Sequence, residues 1–323
     1  MLKYIIKRLL LSIVILLGVS FIVYVLVRCM PVDFVENKIA AISTNQEVSK
    51  DLIDTMYKSY GLDGGIIDGY MNWLAKLCTF DFGTRFSNGQ PVVTEIKDHM
   101  GISFIVALIA TVLEFMIAIP LGITAATHQY SIRDYVVTVF VMIGISLPSF
   151  FFGRVLQSIA PKLGLPSLFL ESGLTDTGFG ATLAFYTKSL LLPILLVVIL
   201  SIGGRMRMTR TNMLEVMNSD YIRTARAKGL SEHKVIYKHA FRNTLIPLVT
   251  SLAGLLPSLF SGAIITEEIF NLPGIGQLAL QATMSADIPF IMGYNMFLAL
   301  LSILGVLFSD IMYAIADPRV KLS

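Results

Sequence analysis

Six long apolar runs divide this chain, separated by stretches where polar residues collect. Residues 9–27, 135–153, 245–266 and 288–309 hold no Asp, Glu, Lys or Arg, while residues 102–127 hold only Glu114 and residues 179–204 only Lys188. A helix needs roughly 18 or more apolar residues to cross about 30 Å of hydrocarbon, so each run predicts one membrane span. The expected fold is an all-α integral membrane protein with six transmembrane helices. The first lies within residues 1–29 and the others at about 101–127, 135–159, 181–204, 245–267 and 288–312.

Prolines and glycines interrupt these runs at Pro120, Gly122, Pro148, Pro193, Pro247, Gly254, Pro257 and Gly262. Broken membrane helices are tolerated where the freed backbone groups face protein or a water-filled cavity. Transporters place such breaks beside substrate paths, although spans of every kind contain some. Glu114 is a sharper signal. An ionisable group at the bilayer centre costs on the order of 2.5–3.5 kcal/mol on insertion scales, so Glu114 must face the bundle interior, a subunit interface or water. Two roles fit it equally, a hydrogen bond to a neighbouring helix or contact with a cargo. Glu114 and Pro257 are the expected markers of a translocation path. Arg154 and Gln157 fall near an outer end, where long side chains snorkel.

Only 15% of the 323 residues are charged and 55% are hydrophobic, against about 25% charged in soluble domains. Basic residues set the orientation, because they collect on the cytoplasmic side. Lys3, Lys7 and Arg8 precede the first run, and nine Lys/Arg against three acids lie between Arg205 and Arg242. Arg319 and Lys321 follow the sixth run. With six spans all three groups share one side, so both termini, including a tail at 318–323, are expected in the cytoplasm. Residues 30–99, with six Lys/Arg and ten Asp/Glu, then lie outside. The N-terminal run is longer than a signal-peptide core, and Val27-Arg28-Cys29-Met30 has no small-x-small cleavage pattern, which favours an uncleaved span. Cys29 and Cys78 both fall outside, where a disulfide can form, but unrelated spacing favours two packed thiols.

The outer region is too short for an enzyme and long enough for a small helical insertion. Val48, Leu52, Met56 and Tyr60 recur at helical spacing, with Gly61 as a stop. Ile66, Tyr70, Leu74 and Leu77, with Trp73 beside them, predict a second helix. These stripes either pack on each other and on the bundle or receive an extracytoplasmic partner.

Residues 205–244 read differently, as two short basic helices joined at a glycine. Ser219 or Asp220 can cap the first, and Gly229 can close it in the left-handed conformation. Ser231 can cap a second helix with Val235, Ile236, His239 and Ala240 on one face. A folded basic helix pair beneath a membrane bundle is a docking element for a cytoplasmic partner. The chain has no G-x-x-x-x-G-K-[ST], G-x-S-x-G or H-E-x-x-H, no Cys/His cluster with metal-ligand spacing, and no clear inverted repeat. No catalytic residue, metal site or cofactor is expected in this chain, so its energy must come from a partner. An ion-coupled secondary transporter remains an alternative, with Glu114 its only mid-membrane acid. A membrane scaffold without a path is another.

YIRTARAKGLSEHKVIYKHAFRNTLIP (221–247) resembles the cytoplasmic coupling loop of the dipeptide/oligopeptide/nickel class of ABC-transporter permeases. The start MLKYIIKRLLLSIVILLGVSFIVY, YGLD (60–63), YMNWL (70–74), FDFGTR (80–85) and IPLGI (119–123) resemble the same class. So do SLPSFFFG (146–153), EEIFNLPGIGQL (267–278) and DPRV (317–320), in the family's order along nearly the whole chain. The resemblance is nearest to the B-type permease, which pairs with a related C-type permease.

The resemblance implies a type I ABC importer permease fold in a bacterial cytoplasmic membrane. It implies as partners a C-type permease, two ATPase subunits that bind ATP and Mg, an extracytoplasmic solute-binding protein and the lipid bilayer, with no nucleic acid. It places Tyr221, Arg223, Ala225, Arg226, Ala227 and Gly229 at the ATPase contact, where small residues admit close approach and basic groups pair with acids. Arg223-Thr224-Ala225 stands where the wider class often has Glu-Ala-Ala, which removes an acidic contact. Pro273, Gly274 and Gly276 suit an external gating turn or an ordinary surface loop. Cargo within the class ranges from peptides to nickel and metal chelates, with peptides the foremost expectation.

Overall fold

The computed structural model describes residues 2–30, 34–42, 50–60, 62–79, 81–146, 148–170 and 178–316. Val48, Gly61 and the terminal DPRV, with Arg319 and Lys321, lie outside the described residues. Among the described residues the regular structure is helical, apart from one bridge between Thr84 and Pro91. Helix α1 (Leu2–Arg28) is followed by the short helices α2 (Phe34–Ile42), α3 (Lys50–Ser59) and α4 (Ile66–Leu77). Then come α5 (Val92–Thr127), α6 (Ile132–Ser146), α7 (Ser149–Ile159) and α8 (Phe179–Met217). Helix α9 (Asp220–Ala227) and a π-helix (Lys234–Ala240) lead into α10 (Phe241–Thr250), a 3-10 turn (Ser251–Gly254) and α11 (Leu255–Phe260). Helices α12 (Ile264–Phe270), α13 (Ile275–Met284) and α14 (Ile288–Ala316) complete the chain.

Four helices among the described residues, α1, α5, α8 and α14, are long and apolar enough to cross a membrane. The pair α6–α7, bent by 95° at a break next to Pro148, makes a fifth if its halves form one span. The run at 245–267 is not the single helix that hydropathy predicts. It is cut into α10, the 3-10 turn, α11 and α12. Pro257 carries no N–H for a helical ladder, and Gly262 turns the chain at φ +72°. A hydropathy count registers apolar side chains and says nothing of whether the backbone stays helical between them.

Lipid offers no hydrophobic drive between helices, so the spans meet through small residues. At Gly122 a Cβ would sit 2.7 Å from Thr209 Cβ and 2.8 Å from the Met206 carbonyl oxygen, so α5 and α8 touch almost backbone to backbone. Ala118, Ala125, Val141, Ile202 and Met206 fill the adjoining space. Large apolar side chains on the outside of the spans, Val14, Met116 and Phe140 among them, are left for lipid to cover. Asp134, in the first turn of α6, is buried and takes a two-pronged bond from Arg210 of α8 (Nε to Oδ1 2.9 Å, Nη2 to Oδ2 2.8 Å). It also accepts the Tyr130 N–H at 3.1 Å.

Helices α2 to α4 pack on the bundle. Tyr24, Val35, Leu62, Tyr70, Ile288 and Met292 form the buried core of this contact, with Met56, Tyr60, Ile66, Trp73 and Leu74 against them. A fully buried carboxylate, Asp287, staples the following segment to the bundle. It accepts Arg85 Nε at 3.2 Å, the Phe86 N–H at 3.0 Å and Ser87 Oγ at 3.1 Å. The other arm of Arg85 reaches Glu95 of α5 at 3.0 Å. Cys29 and Cys78 are free and exposed, which corrects the expectation of packed thiols.

Candidate functional site

Helices α5 and α8 and the broken segment after α10 line an open cavity of about 410 Å³. Two of its lining residues are charged, Glu114 on α5 and Arg205 on α8, and they are of opposite sign. Arg205 Nε donates to Glu114 Oε1 at 3.0 Å, and its Nη1 donates to Ser251 Oγ at 2.8 Å. The guanidinium lies over the Phe115 ring, 4.4 Å from its centroid. Glu114 therefore has a charged partner on a neighbouring helix and also lines a cavity. Pro257 is not on the cavity wall. Gly254, Leu255 and Ser258 line it, and the helical phase of α11 turns Pro257 aside. The basic-residue count makes Arg205 the first residue of a cytoplasmic loop. Helix α8 in fact continues as far as Met217, and Arg205 points inward. Its partner lies 91 positions away, which no local pattern reveals.

A second carboxylate closes one end of this region. Glu267 is 2% exposed, whereas its neighbour Glu268 is exposed. Glu267 Oε1 accepts from Ser103 Oγ at 2.7 Å and from the Ala263 N–H at 3.1 Å, and Oε2 accepts from the Gln277 N–H at 2.8 Å. Ser103 Oγ in turn accepts the Ile275 N–H at 2.9 Å, so the carboxylate organises the start of α13. Three glycines make room for it. A Cβ at Gly274 would come 2.6 Å from Ser103 Oγ, and one at Gly262 or Gly276 would come 2.8 Å from a Glu267 oxygen. Gly274 and Gly276 are buried and Pro273 half-buried, which overturns the surface-loop alternative for this turn. Ser103, Gly262 and Ala263 also line the cavity, so turn and cavity adjoin. Gln157 does not snorkel. Its Nε2 donates to the Ile269 carbonyl at 2.9 Å and ties α7 to α12.

The helix pair beneath is built as its sequence predicts at the turn. Gly229 has φ +73°, and its N–H and that of Leu230 close α9 on the Arg226 and Ala225 carbonyls at 2.9 and 3.4 Å. Ile222, Ala225, Val235 and Ala240 are buried with Ile123, Ala126 and Met213, at the far ends of α5 and α8. Outside the hydrocarbon such burial is worth about 2 kcal/mol for a residue the size of Ile or Val. Ala225, 6% exposed, packs on the bundle, unlike the other residues assigned to the docking contact. Tyr221, Arg223, Ala227 and Gly229 are exposed. Arg226 is also exposed, but it pairs with Glu232 within the chain at 2.8 Å. The start of α9 carries no side-chain cap bond. Ser219 Oγ donates back to the Val216 carbonyl at 2.6 Å. The second helix winds as a π-helix, which the apolar face alone does not distinguish from an α-helix.

Comparison with known proteins shows the family of the chain. Residues 118–322 match the family described as binding-protein-dependent transport system inner membrane component, and residues 1–107 match the N-terminal family of the same membrane components. An oligopeptide transport system permease protein, AppB of Bacillus subtilis, is 35% identical over 99% of this chain and 100% of its own length. Dipeptide transport system permease proteins named DppB are similar as well. That of Bacillus subtilis is 32% identical over 100% of this chain and 99% of its own length. That of Haemophilus influenzae is 34% identical over 99% and 100%. The chain is a multi-pass membrane protein that belongs to the binding-protein-dependent inner membrane component family, as a permease of the peptide class of ABC importers.

Proposed function

We propose that this chain forms part of the translocation path of an ATP-driven importer of peptides in a bacterial cytoplasmic membrane. The observation that carries the reading is the continuity of α8. One helix carries Arg205 in the cavity and Met213 beneath the α9 platform, eight residues and roughly 12 Å further along. A displacement of the docking pair therefore reaches the cavity through a rigid rod. In this reading there are six spans, α10–α12 forming a discontinuous one, with both termini cytoplasmic and residues 30–99 outside. Two ATPase subunits, which bind ATP and Mg, contact Tyr221, Arg223, Arg226, Ala227 and the Gly229 turn. A C-type permease completes the path, and an extracytoplasmic binding protein delivers the peptide. The turn at Pro273, Gly274 and Gly276, held by Glu267, bounds the cavity on the outer side.

ATP binding closes the partner subunits and moves the helix pair as a unit, so that the cavity opens alternately to the two sides. The ion-coupled alternative, in which Glu114 exchanges Arg205 for a coupling ion, differs from this reading in its energy source. Purification from native membranes, followed by reconstitution, tests the proposal. A second permease and ATPase subunits should co-purify, and peptide uptake should require ATP and binding protein. Uptake that persists without ATP and follows an ion gradient would refute it. Gly229→Val should abolish uptake while the complex still assembles, because a β-branched residue at φ +73° reshapes the turn.

A further inference from the structure

The cavity holds one carboxylate and one guanidinium, already in contact, so its wall is charged locally and neutral in sum. The pair is held loosely. A single Nε to Oε1 contact joins the two groups, and Arg205 keeps two further anchors, Ser251 Oγ at 2.8 Å and the Phe115 ring at 4.4 Å. If an incoming ammonium takes Glu114, Arg205 stays in place and is free to receive a carboxylate. Ser201, Ser258 and Thr111 supply hydroxyl groups on the same wall. The cavity volume, about 410 Å³, falls within the roughly 300–1,000 Å³ of sites that enclose small molecules.

We propose that the Glu114–Arg205 pair selects for net-neutral, zwitterionic cargo, short peptides with both termini free, by exchanging its internal contact for contacts to the peptide's ammonium and carboxylate. This rests on the permease reading above. A wall that is neutral in sum but split in charge offers each end of a zwitterion an opposite partner. A cargo with net charge leaves one charge unpaired in a site where charges are weakly screened. Removing one partner should turn the survivor into a filter of its own sign, since juxtaposed like charges exclude the wrong partner.

The test is uptake by the reconstituted holo-complex of Ala-Ala-Ala, Ala-Glu-Ala and Ala-Lys-Ala, each expressed relative to wild type with the same binding protein, so that the binding protein's own preference cancels. Glu114→Gln should raise the Glu-peptide to Lys-peptide uptake ratio by at least roughly tenfold, and Arg205→Gln should lower it by a similar factor. The reversed pair, Glu114→Arg with Arg205→Glu, should restore the wild-type ratio. Thr111→Lys and Thr111→Asp change the wall's charge without touching the pair. They should shift the ratio up and down respectively, and they decide the matter if the pair variants fail to assemble. Unchanged ratios in assembled variants that still transport would overturn the selectivity proposal and leave the permease reading standing. Absence of ATP-dependent uptake in the wild-type complex would overturn both.

Discussion

Helix α8 carries two arginines five residues apart, and each finds a buried acid, yet the two pairs are built for different ends. Arg210 and Asp134 meet through two parallel bonds, with the Tyr130 N–H completing the carboxylate, between two regular helices. Arg205 and Glu114 meet through one bond, beside a cavity, with the second arm of the guanidinium on a residue of the broken segment. Forked geometry with extra donors fixes orientation. A single contact shared with an irregular segment leaves an alternative arrangement within reach. The difference separates a fastening from a working contact, although the residue types are nearly the same.

Several substitutions break or sharpen this contrast. The largest expected effect is at the fastening. Asp134→Ala leaves Arg210 without its partner and should cost on the order of 3 kcal/mol, read as a lowered unfolding temperature of the purified complex. A loss below about 1 kcal/mol would show that Asp134 holds nothing. Next is Glu267→Gln, which keeps the shape but lets an amide N–H meet a backbone donor. It should cost about 1–3 kcal/mol, placing Glu267 with Asp134 and not with Glu114. Wild-type thermal stability in that variant would refute the assignment. Charge reversal then separates the two pairs on α8. The double variant Glu114→Arg with Arg205→Glu should stay within about 1 kcal/mol of wild type. The corresponding reversal, Asp134→Arg with Arg210→Asp, should not recover, because a cation in the first turn of α6 opposes the helix dipole by about 0.3–1 kcal/mol and strips the Tyr130 N–H of its acceptor. Equal recovery at both sites would erase the distinction. The smallest effect is expected for Ser251→Ala, about 1 kcal/mol. Measured in an Arg205→Gln background it should shrink to what the Ser251 Oγ bond to the Leu248 carbonyl (2.6 Å) supplies, and an undiminished cost there would mean that Ser251 does not act through Arg205.

What can be read from the sequence follows the range of the interactions. The α9 platform is local. The apolar face of Val235, Ile236, His239 and Ala240, and a glycine after a basic helix, suffice to predict a helix pair and a left-handed turn. That pattern, read without its surroundings, does not say that Ala225 faces inward. The spans α1, α5, α8 and α14 are legible because lipid demands length and apolarity. The charged contacts are not legible. Glu114, Asp134, Glu267 and Asp287 pair with residues 91, 76, 164 and 202 positions away, and in sequence Arg205 and Arg210 look like ordinary members of a basic loop. Glu267 beside Glu268 gives no sign of which is buried.

The cradle around Glu267 has a consequence for biogenesis. The segment from Leu245 to Phe270 is presented to the insertion machinery as a run of adequate hydropathy, but it cannot settle alone as a finished span. Its turn at Gly262 and the start of α13 are satisfied by a carboxylate whose remaining partner, Ser103, arrives on a helix made long before. Until that helix is alongside, a carboxyl group and several open backbone N–H groups face lipid, an expensive state that favours retention in a protein-lined environment. Assembly of this part of the bundle is thus a joint event, in which an early helix waits for a late, broken one.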